Sequence, residues 1–192
     1  MIYCNLDIAG FEANPQDSLT FNYLIGPFHR QEVTGLDICI RKQLIATCSK
    51  DKTINIWNVA ERRLEIEPTP TPEECLAIAF HPSGLHLVVS LNDKIQLMNL
   101  HADKLRPDKI WPTRNCYDIK FSHGGHMFAA VSNKDIHVHN FYTNDCPDSM
   151  MYSGHMQRVN RIDWFDNDMG FVSCSSDGGI YFYDLYTHTL EK

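Results

Sequence analysis

The sequence lacks several features that would place it in a particular class of protein. Its 192 residues contain no Cys-x-x-Cys pair and no Asn-x-Ser/Thr glycosylation site. No apolar run approaches the roughly 20 residues of a membrane-spanning helix. Basic residues are also scarce, with 17 Lys and Arg against 24 Asp and Glu, for a net charge of −7. Because binding to phosphates needs clustered Lys and Arg, we expect neither nucleic-acid nor membrane partners.

Cysteine is present without the pattern of a disulfide framework. Seven cysteines are spread along the chain, an odd number at irregular spacing. This favours free thiols in a reducing compartment. Helical periodicity is missing over any useful length, whereas apolar and polar residues alternate in many short runs. Such alternation is typical of β-strands with two different faces.

The main feature of the sequence is a repeat of 42 residues. Asp51, Asp93, Asp135 and Asp177 follow one another at this interval, and a small residue stands three positions before each. A β-prone run precedes each aspartate and an alternating strand follows it, as in Ile54–Trp57. A further alternating strand opens each unit. Three clear strands and a weaker outer one in about 42 residues predict one blade of a β-propeller.

The first and last units share a second spacing. His29 and the pair Gly154-His155 lie 22 residues before the aspartate of their unit. These units resemble the WD-repeat family, in which a His, the turn Asp, a strand Ser or Thr and a Trp form a hydrogen-bonded chain that fixes each blade. The resemblance assigns these structural positions to the following residues: His29, Thr47 or Ser49, Asp51 and Trp57 in the first unit; His155, Ser173 or Ser175, Asp177 and Tyr183 in the last.

The two middle units depart from this pattern. Thr71 and Thr113 occupy the position of the histidine, and Met98 and His139 occupy that of the tryptophan. Their turn aspartates, Asp93 and Asp135, are retained as structural blade positions. We therefore expect these two blades to depend on packing alone.

The predicted fold class is all-β: a partial WD-repeat β-propeller of about four blades, each a four-stranded antiparallel sheet, with half of a preceding blade. Residues 1–26 are expected to supply the last strands of that preceding blade. The four blades are predicted at 27–70, 71–112, 113–153 and 154–192. An unclosed propeller leaves strand edges unpaired. We therefore expect a fragment of a longer propeller, or, if the chain is complete, edges that pair with another chain.

Metal binding and catalysis are both disfavoured by the repeat. The densest group of potential ligands is Cys116, His123, His126, His137 and His139, but these occupy ordinary blade positions without the tight spacing of a zinc site. The potential nucleophiles recur at one position in every unit, as Cys48, Ser90, Ser132 and Cys174, which indicates packing. The sequence therefore predicts no catalytic residue, no metal and no cofactor, and hence no enzyme.

The stretch Glu67–Glu73 is rich in proline and separates the first two blades. We interpret it as a stiff connector between the outer strand of one blade and the inner strand of the next. The alternative is a docking or phosphorylation site, because Pro-rich segments also serve as extended ligands.

From about Val33 onwards the sequence resembles the ciliary WD-repeat family of cilia- and flagella-associated proteins, and in particular the second propeller of one member. The most specific stretches are Gly35–Lys42, Leu44–Ser49, Leu97–Leu100 and Gly124–Val131. The resemblance implies a non-catalytic axonemal scaffold that supports inner-arm dynein docking or assembly and ciliary motility. Its implied partners are ciliary WD-repeat proteins, inner-arm dynein components and doublet microtubule complexes. The alternative function is a generic cytoplasmic WD-repeat adaptor with a peptide-binding rim.

Overall fold

The structure is a computed structural model that describes residues 2–4, 21–23, 28–143, 150–186 and 190–191. Almost all of its regular elements are β-strands, and a short 3-10 helix occurs at Ile40–Lys42. In this part of the chain, no helix has the length and apolar character needed to cross a membrane. Most of residues 1–26, which are expected to supply the last strands of a preceding blade, lie outside the described residues.

Nineteen strands occur in the described residues, and all neighbouring pairs are antiparallel. The first pair is β1 (Ile2–Cys4) and β2 (Phe21–Tyr23). The first large sheet contains β3 (Val33–Cys39), β4 (Leu44–Ser49), β5 (Thr53–Asn58), β6 (Arg63–Leu64) and β7 (Thr69–Pro70). The second contains β8 (Ala77–Phe80), β9 (His86–Ser90), β10 (Ile95–Leu100) and β11 (Leu105–Trp111). The third contains β12 (Cys116–Phe121), β13 (Met127–Ser132), β14 (Asp135–Asn140) and β15 (Met151–Tyr152). The fourth contains β16 (Val159–Trp164), β17 (Gly170–Ser175), β18 (Ile180–Asp184) and β19 (Leu190–Glu191).

The four large sheets are consecutive blades of a β-propeller, here called blades 1 to 4. In each blade the first four strands follow one another in chain order across the sheet, and in blade 1 the additional strand β7 pairs with β5. The first strands, β3, β8, β12 and β16, pack successively against each other and therefore line the axis. The predicted all-β propeller fold is confirmed.

Burial explains why the second and third strands of the blades contain continuous runs of apolar residues. Three hydrophobic cores are present, each formed by the facing sides of two successive blades. A strand inside the stack, such as β5 or β9, is therefore buried on both sides. Burial of apolar area contributes roughly 25 cal/mol per Å², so these blade-to-blade surfaces are the main source of stability.

The repeat also fixes details of the first strands. Blades 1, 3 and 4 each show a register shift at the second residue of the first strand, at Thr34, Tyr117 and Asn160. Such bulges increase the local twist of a strand. Before blade 1, the β1–β2 pair aligns Ile2 with Tyr23. The Pro-rich connector contributes its own short strand, Thr69–Pro70, which pairs with β5 of blade 1.

Candidate interaction surfaces and blade contacts

A chain of hydrogen bonds runs through blade 1. The Trp57 indole N–H donates to the Thr47 hydroxyl over 2.9 Å. The same hydroxyl lies 2.9 Å from Nε2 of His29. The other ring nitrogen of His29 lies 3.2 Å from a carboxylate oxygen of Asp51. Four residues from separate parts of the blade are thus joined from the core to the turn.

Asp51 anchors the turn between β4 and β5. Its carboxylate accepts the backbone N–H of Arg30 at 2.7 Å and that of Thr53 at 3.0 Å. Partial burial raises the pKa of Asp51, but the hydrogen bonds from Thr53 and Arg30 and the nearby His29 outweigh it, so the pKa is lowered overall. A charged carboxylate therefore stabilises this turn.

Blade 4 repeats the part of this arrangement that joins the histidine, the hydroxyl and the aspartate. The ring nitrogens of His155 lie 3.1 Å from the carboxylate of Asp177 and 2.6 Å from the Ser173 hydroxyl. The backbone N–H groups of Gly179 and Met156, together with His155, lower the pKa of Asp177 to about 2. Tyr183 is buried in the place of the tryptophan and stacks on Phe171, with ring centroids 4.9 Å apart.

The histidine contacts distinguish between the paired alternatives in both blades. Thr47 and Ser173 contact the imidazoles, whereas Ser49 and Ser175 accept the backbone N–H of the turn aspartates at 3.1 and 3.3 Å. The two serines therefore support the turn itself.

The middle blades contain a reduced version of the network. Asp93 is exposed, and Thr71 donates to the carbonyl of Glu73 at 2.7 Å. In blade 3 the Thr113 hydroxyl lies 3.3 Å from Nε2 of His139. His139 is buried in the tryptophan position and stacks on Phe128, and burial lowers its pKa to about 4. The sequence did not predict this contact between Thr113 and His139.

The sequence also did not predict two carboxylates that connect successive blades. Asp37 in β3 accepts the N–H of Phe80 in blade 2 at 2.7 Å, and Asp118 in β12 accepts the N–H of Ile162 in blade 4 at 3.0 Å. Burial raises the pKa of Asp118, although these hydrogen bonds and Arg161 act in the opposite direction. Asp37 is the fifth residue of β3 and Asp118 the third residue of β12, so no single position of the repeat marks both carboxylates.

A cavity of about 350 Å³ lies on the axis, between the four first strands. Its charged side chains are paired across blades. Lys120 lies 3.7 Å from Asp37, and Arg161 lies 3.2 Å from Asp118. This surface presents both signs of charge and suits a polar protein segment better than an apolar one.

The candidate metal ligands are distributed over blade 3. Cys116 is buried in a core, and His137 and His139 stack with centroids 6.2 Å apart. His123 and His126 are near Asp168, at 3.2 and 3.9 Å. Within the described residues, no three His, Cys, Asp or Glu side chains form a group suited to a metal ion.

Comparison with known proteins agrees with this geometry. The family model "WD domain, G-beta repeat" matches residues 23–58 and 147–184. These two segments contain the first three strands of blade 1 and of blade 4, the blades with the network of His, Ser or Thr, and Asp. The middle blades contain only the reduced version of that network.

Several relatives cover most of this chain. Cilia- and flagella-associated protein 57 A of Tetrahymena thermophila is 42% identical over 169 residues, which are 88% of this chain and 13% of that protein. Cilia- and flagella-associated protein 57 of Mus musculus is 40% identical over 180 residues, 94% of this chain and 14% of that protein. The 77 kDa echinoderm microtubule-associated protein of Strongylocentrotus purpuratus is 25% identical over 182 residues, 87% of this chain and 25% of that protein.

The chain thus spans only about one seventh of the ciliary proteins that it matches. The four blades, the two complete hydrogen-bond networks and the matched repeat segments all indicate the same architecture. The chain belongs to the WD-repeat family, and over most of its length it is similar to cilia- and flagella-associated protein 57.

Proposed function

We propose that this chain is a non-catalytic scaffold of the ciliary or flagellar axoneme that supports the docking or assembly of inner-arm dynein and thereby ciliary motility. The observation that carries the proposal is its 40–42% identity, over most of its length, to proteins named for their association with cilia and flagella. A WD-repeat propeller fits this role, because it is a rigid body with several surfaces for other proteins.

The state of the recurrent Cys and Ser positions supports a role without catalysis. Cys48 is fully buried, and the adjacent Cys75 thiol together with burial raises the pKa of Cys48 far above its ordinary value. Ser90 is also buried, and it donates to the carbonyl of Leu91. A nucleophile needs access and an adjacent base, and these groups are instead part of the packing.

The proposed neighbourhood is the doublet microtubule. One relative is named as a microtubule-associated protein, which supports a position on or close to that surface. The net charge of −7 argues against direct electrostatic attachment to the microtubule surface, which is also acidic. We therefore propose contact through other axonemal proteins, including ciliary WD-repeat proteins and inner-arm dynein components. That the chain corresponds to the second propeller of such a protein stays a prediction.

Fractionation of cilia tests the proposal. The protein that contains this chain, tagged in ciliated cells, should remain with axonemes after detergent treatment and should be released by high salt together with inner-arm dyneins. Outer-arm dynein and radial spoke proteins serve as markers for the other axonemal complexes. Recovery of the tagged protein in the detergent-soluble fraction would contradict the axonemal role and would favour the cytoplasmic adaptor.

A further inference from the structure

A groove of about 450 Å³ lies between blades 3 and 4. Met127, Met150 and Met169 line its sides, and the buried Val138 and Tyr152 form its base. We call this surface the methionine groove. Methionine side chains are flexible and polarisable, so they adapt to different apolar partners.

The exposed edge of the groove is also apolar. Tyr186, at the mouth of the methionine groove, is 78% exposed, and Met169 is 46% exposed. Large apolar side chains that remain in contact with water next to a concave apolar surface are typical of protein-interaction sites.

The corresponding place between blades 2 and 3 is filled. There the imidazole of His81 lies 3.0 Å from the carbonyl oxygen of Gly125 in the next blade. It packs against Phe141 and His86, with ring centroids 4.5 and 5.7 Å apart. His81 thus closes the space between these two blades.

Blade 3 has a much smaller residue at the position of His81. The turns His81-Pro82-Ser83-Gly84 and Ser122-His123-Gly124-Gly125 correspond in the repeat, so Ser122 replaces His81. The Ser122 hydroxyl is buried and accepts the N–H of Met127 at 3.3 Å. Met127 and Leu185 take the places of His86 and Phe141 and line the methionine groove. The methionine groove therefore lies at a place where the side chains of the repeat differ from those between blades 2 and 3.

The charge around the methionine groove is acidic. Asp168 belongs to its lining, and Asp184 is exposed in the strand that leads to Leu185 and Tyr186. Among the described residues, the lining contains His126 but neither Lys nor Arg. A segment that enters this groove would thus be favoured by a positive charge beside its apolar side chain.

We propose that the methionine groove binds a short segment of a partner protein, in which one large unbranched or γ-branched apolar side chain is flanked by Lys or Arg. The apolar side chain lies between the methionines, and the cation lies near Asp168. The inference deepens the proposed scaffold function, on which it rests for the partner being a protein. It assigns the scaffold a docking surface with a definite chemistry.

A titration of the full chain with a synthetic peptide tests the proposal. The probe is acetyl-Gly-Lys-Leu-Lys-Gly amide, and methyl-¹³C methionine NMR records which methionines respond. We expect the methyl signals of Met127, Met150 and Met169 to shift in a saturable way, while that of Met98, buried between blades 1 and 2, does not. Peptides with Ala for Leu, or Glu for Lys, should bind much more weakly.

A matched pair of variants completes the test. Met169→Gln removes an apolar contact in the groove without changing side-chain length, and Met156→Gln makes the same change at a methionine that is 87% exposed outside the groove. We expect roughly tenfold weaker binding for M169Q and unchanged binding for M156Q. Circular dichroism melts verify that both variants are folded.

Three results would overturn the docking proposal. They are the absence of saturable shifts, equal responses to the Lys and Glu peptides, and equal effects of the two variants. Shifts of the groove methionines that depend on protein concentration without peptide would identify a second copy of the chain as the occupant. Fractionation of cilia is a separate experiment from the peptide titration. The docking proposal can therefore be contradicted while the axonemal role is supported, and the axonemal role can be contradicted while the docking proposal is supported.

Discussion

At the scale of single residues, the network in blade 1 depends on a hydroxyl that serves two partners. Thr47 accepts the indole N–H of Trp57 and contacts the ring of His29, both at 2.9 Å. All three groups are removed from water to a large extent. A buried donor without a partner costs about 1–3 kcal/mol, so the arrangement is stabilising mainly because it avoids that cost.

Replacement of Thr47 by valine tests this network. Thr47→Val keeps the shape of the side chain but leaves the Trp57 N–H and the His29 Nε2 without their partner. We expect the free energy of unfolding to fall by about 2–3 kcal/mol, measured by urea denaturation. Thr69→Val, at a half-exposed threonine, is the matched control and should change stability by less than about 0.5 kcal/mol. Equal effects of the two variants would argue against a role for the network.

His139 makes stability depend on pH. Its pKa is lowered to about 4 by burial, against about 6.5 in an unfolded chain. Between these values the unfolded state binds more protons, so stability falls as the pH decreases from 6.5 towards 4, by about 3 kcal/mol from this residue. Denaturation curves at several pH values should show that His139→Gln reduces this slope. The same change at His101, an exposed histidine, is the matched control.

At the scale of elements, consecutive blades are joined by polar contacts as well as by apolar cores. Asp118 reaches from β12 to the backbone of β16, and His81 reaches from the β8–β9 turn to Gly125. These bonds fix the register of one sheet against the next, which apolar packing specifies less strictly. The position of each blade in the stack is therefore fixed by its contacts with the neighbouring blades.

Removal of the Asp118 carboxylate should weaken the junction of blades 3 and 4. Asp118→Ala leaves the N–H of Ile162 buried without a partner, and we expect a loss of about 1–3 kcal/mol in unfolding free energy. Asp93→Ala is the control, because Asp93 is an exposed aspartate of the repeat. Calorimetric melts of both variants give the comparison. A larger loss of unfolding free energy for D93A than for D118A would contradict the role given to the Asp118 carboxylate.

Gly125 allows the junction of blades 2 and 3 to close. Its φ is +75°, which L-residues with a side chain rarely adopt, and a Cβ there would lie 2.5 Å from Nε2 of His81. Gly125→Ala should thus destabilise the protein by about 2 kcal/mol or more. The double variant with His81→Ser should lose less than the sum of the single changes, because the clash is removed. Strict additivity in thermal denaturation would show that His81 is not the obstacle.

At the scale of the whole molecule, the outer side of blade 4 differs from the sides of the blades that face a neighbouring blade. Ile180 and Phe182 in β18 are 57% and 44% exposed. Their counterparts in blade 2, Ile95 and Leu97, are buried against the next blade. The same sequence pattern thus has a different environment at the outside of the stack.

This difference predicts opposite results for one substitution. Phe182→Ser should change the free energy of unfolding by less than about 1 kcal/mol, because half of the ring is already in water. Leu97→Ser, at the equivalent position, should cost about 3 kcal/mol or more through a cavity and a buried hydroxyl. Urea denaturation measures both. A large loss for F182S would show that this face is covered by another surface.

The sequence by itself determined the blades, because a 42-residue recurrence of alternating strands and turn aspartates leaves few other folds. The common spacing of 22 residues also led to the prediction that His29 and Asp51, and His155 and Asp177, form structural pairs of their blades. Only the tertiary structure decided which hydroxyl meets each imidazole, since Thr47 and Ser49 are equally plausible by position.

The contacts between blades also required the tertiary structure. Asp118 and Ile162 are 44 residues apart, and their bond depends on how two sheets pack. The methionine groove depends on the same packing, because its lining residues come from two blades that stand opposite each other. A repeat specifies what each blade is, whereas the fit of neighbouring blades determines which of its surfaces remain open to a partner.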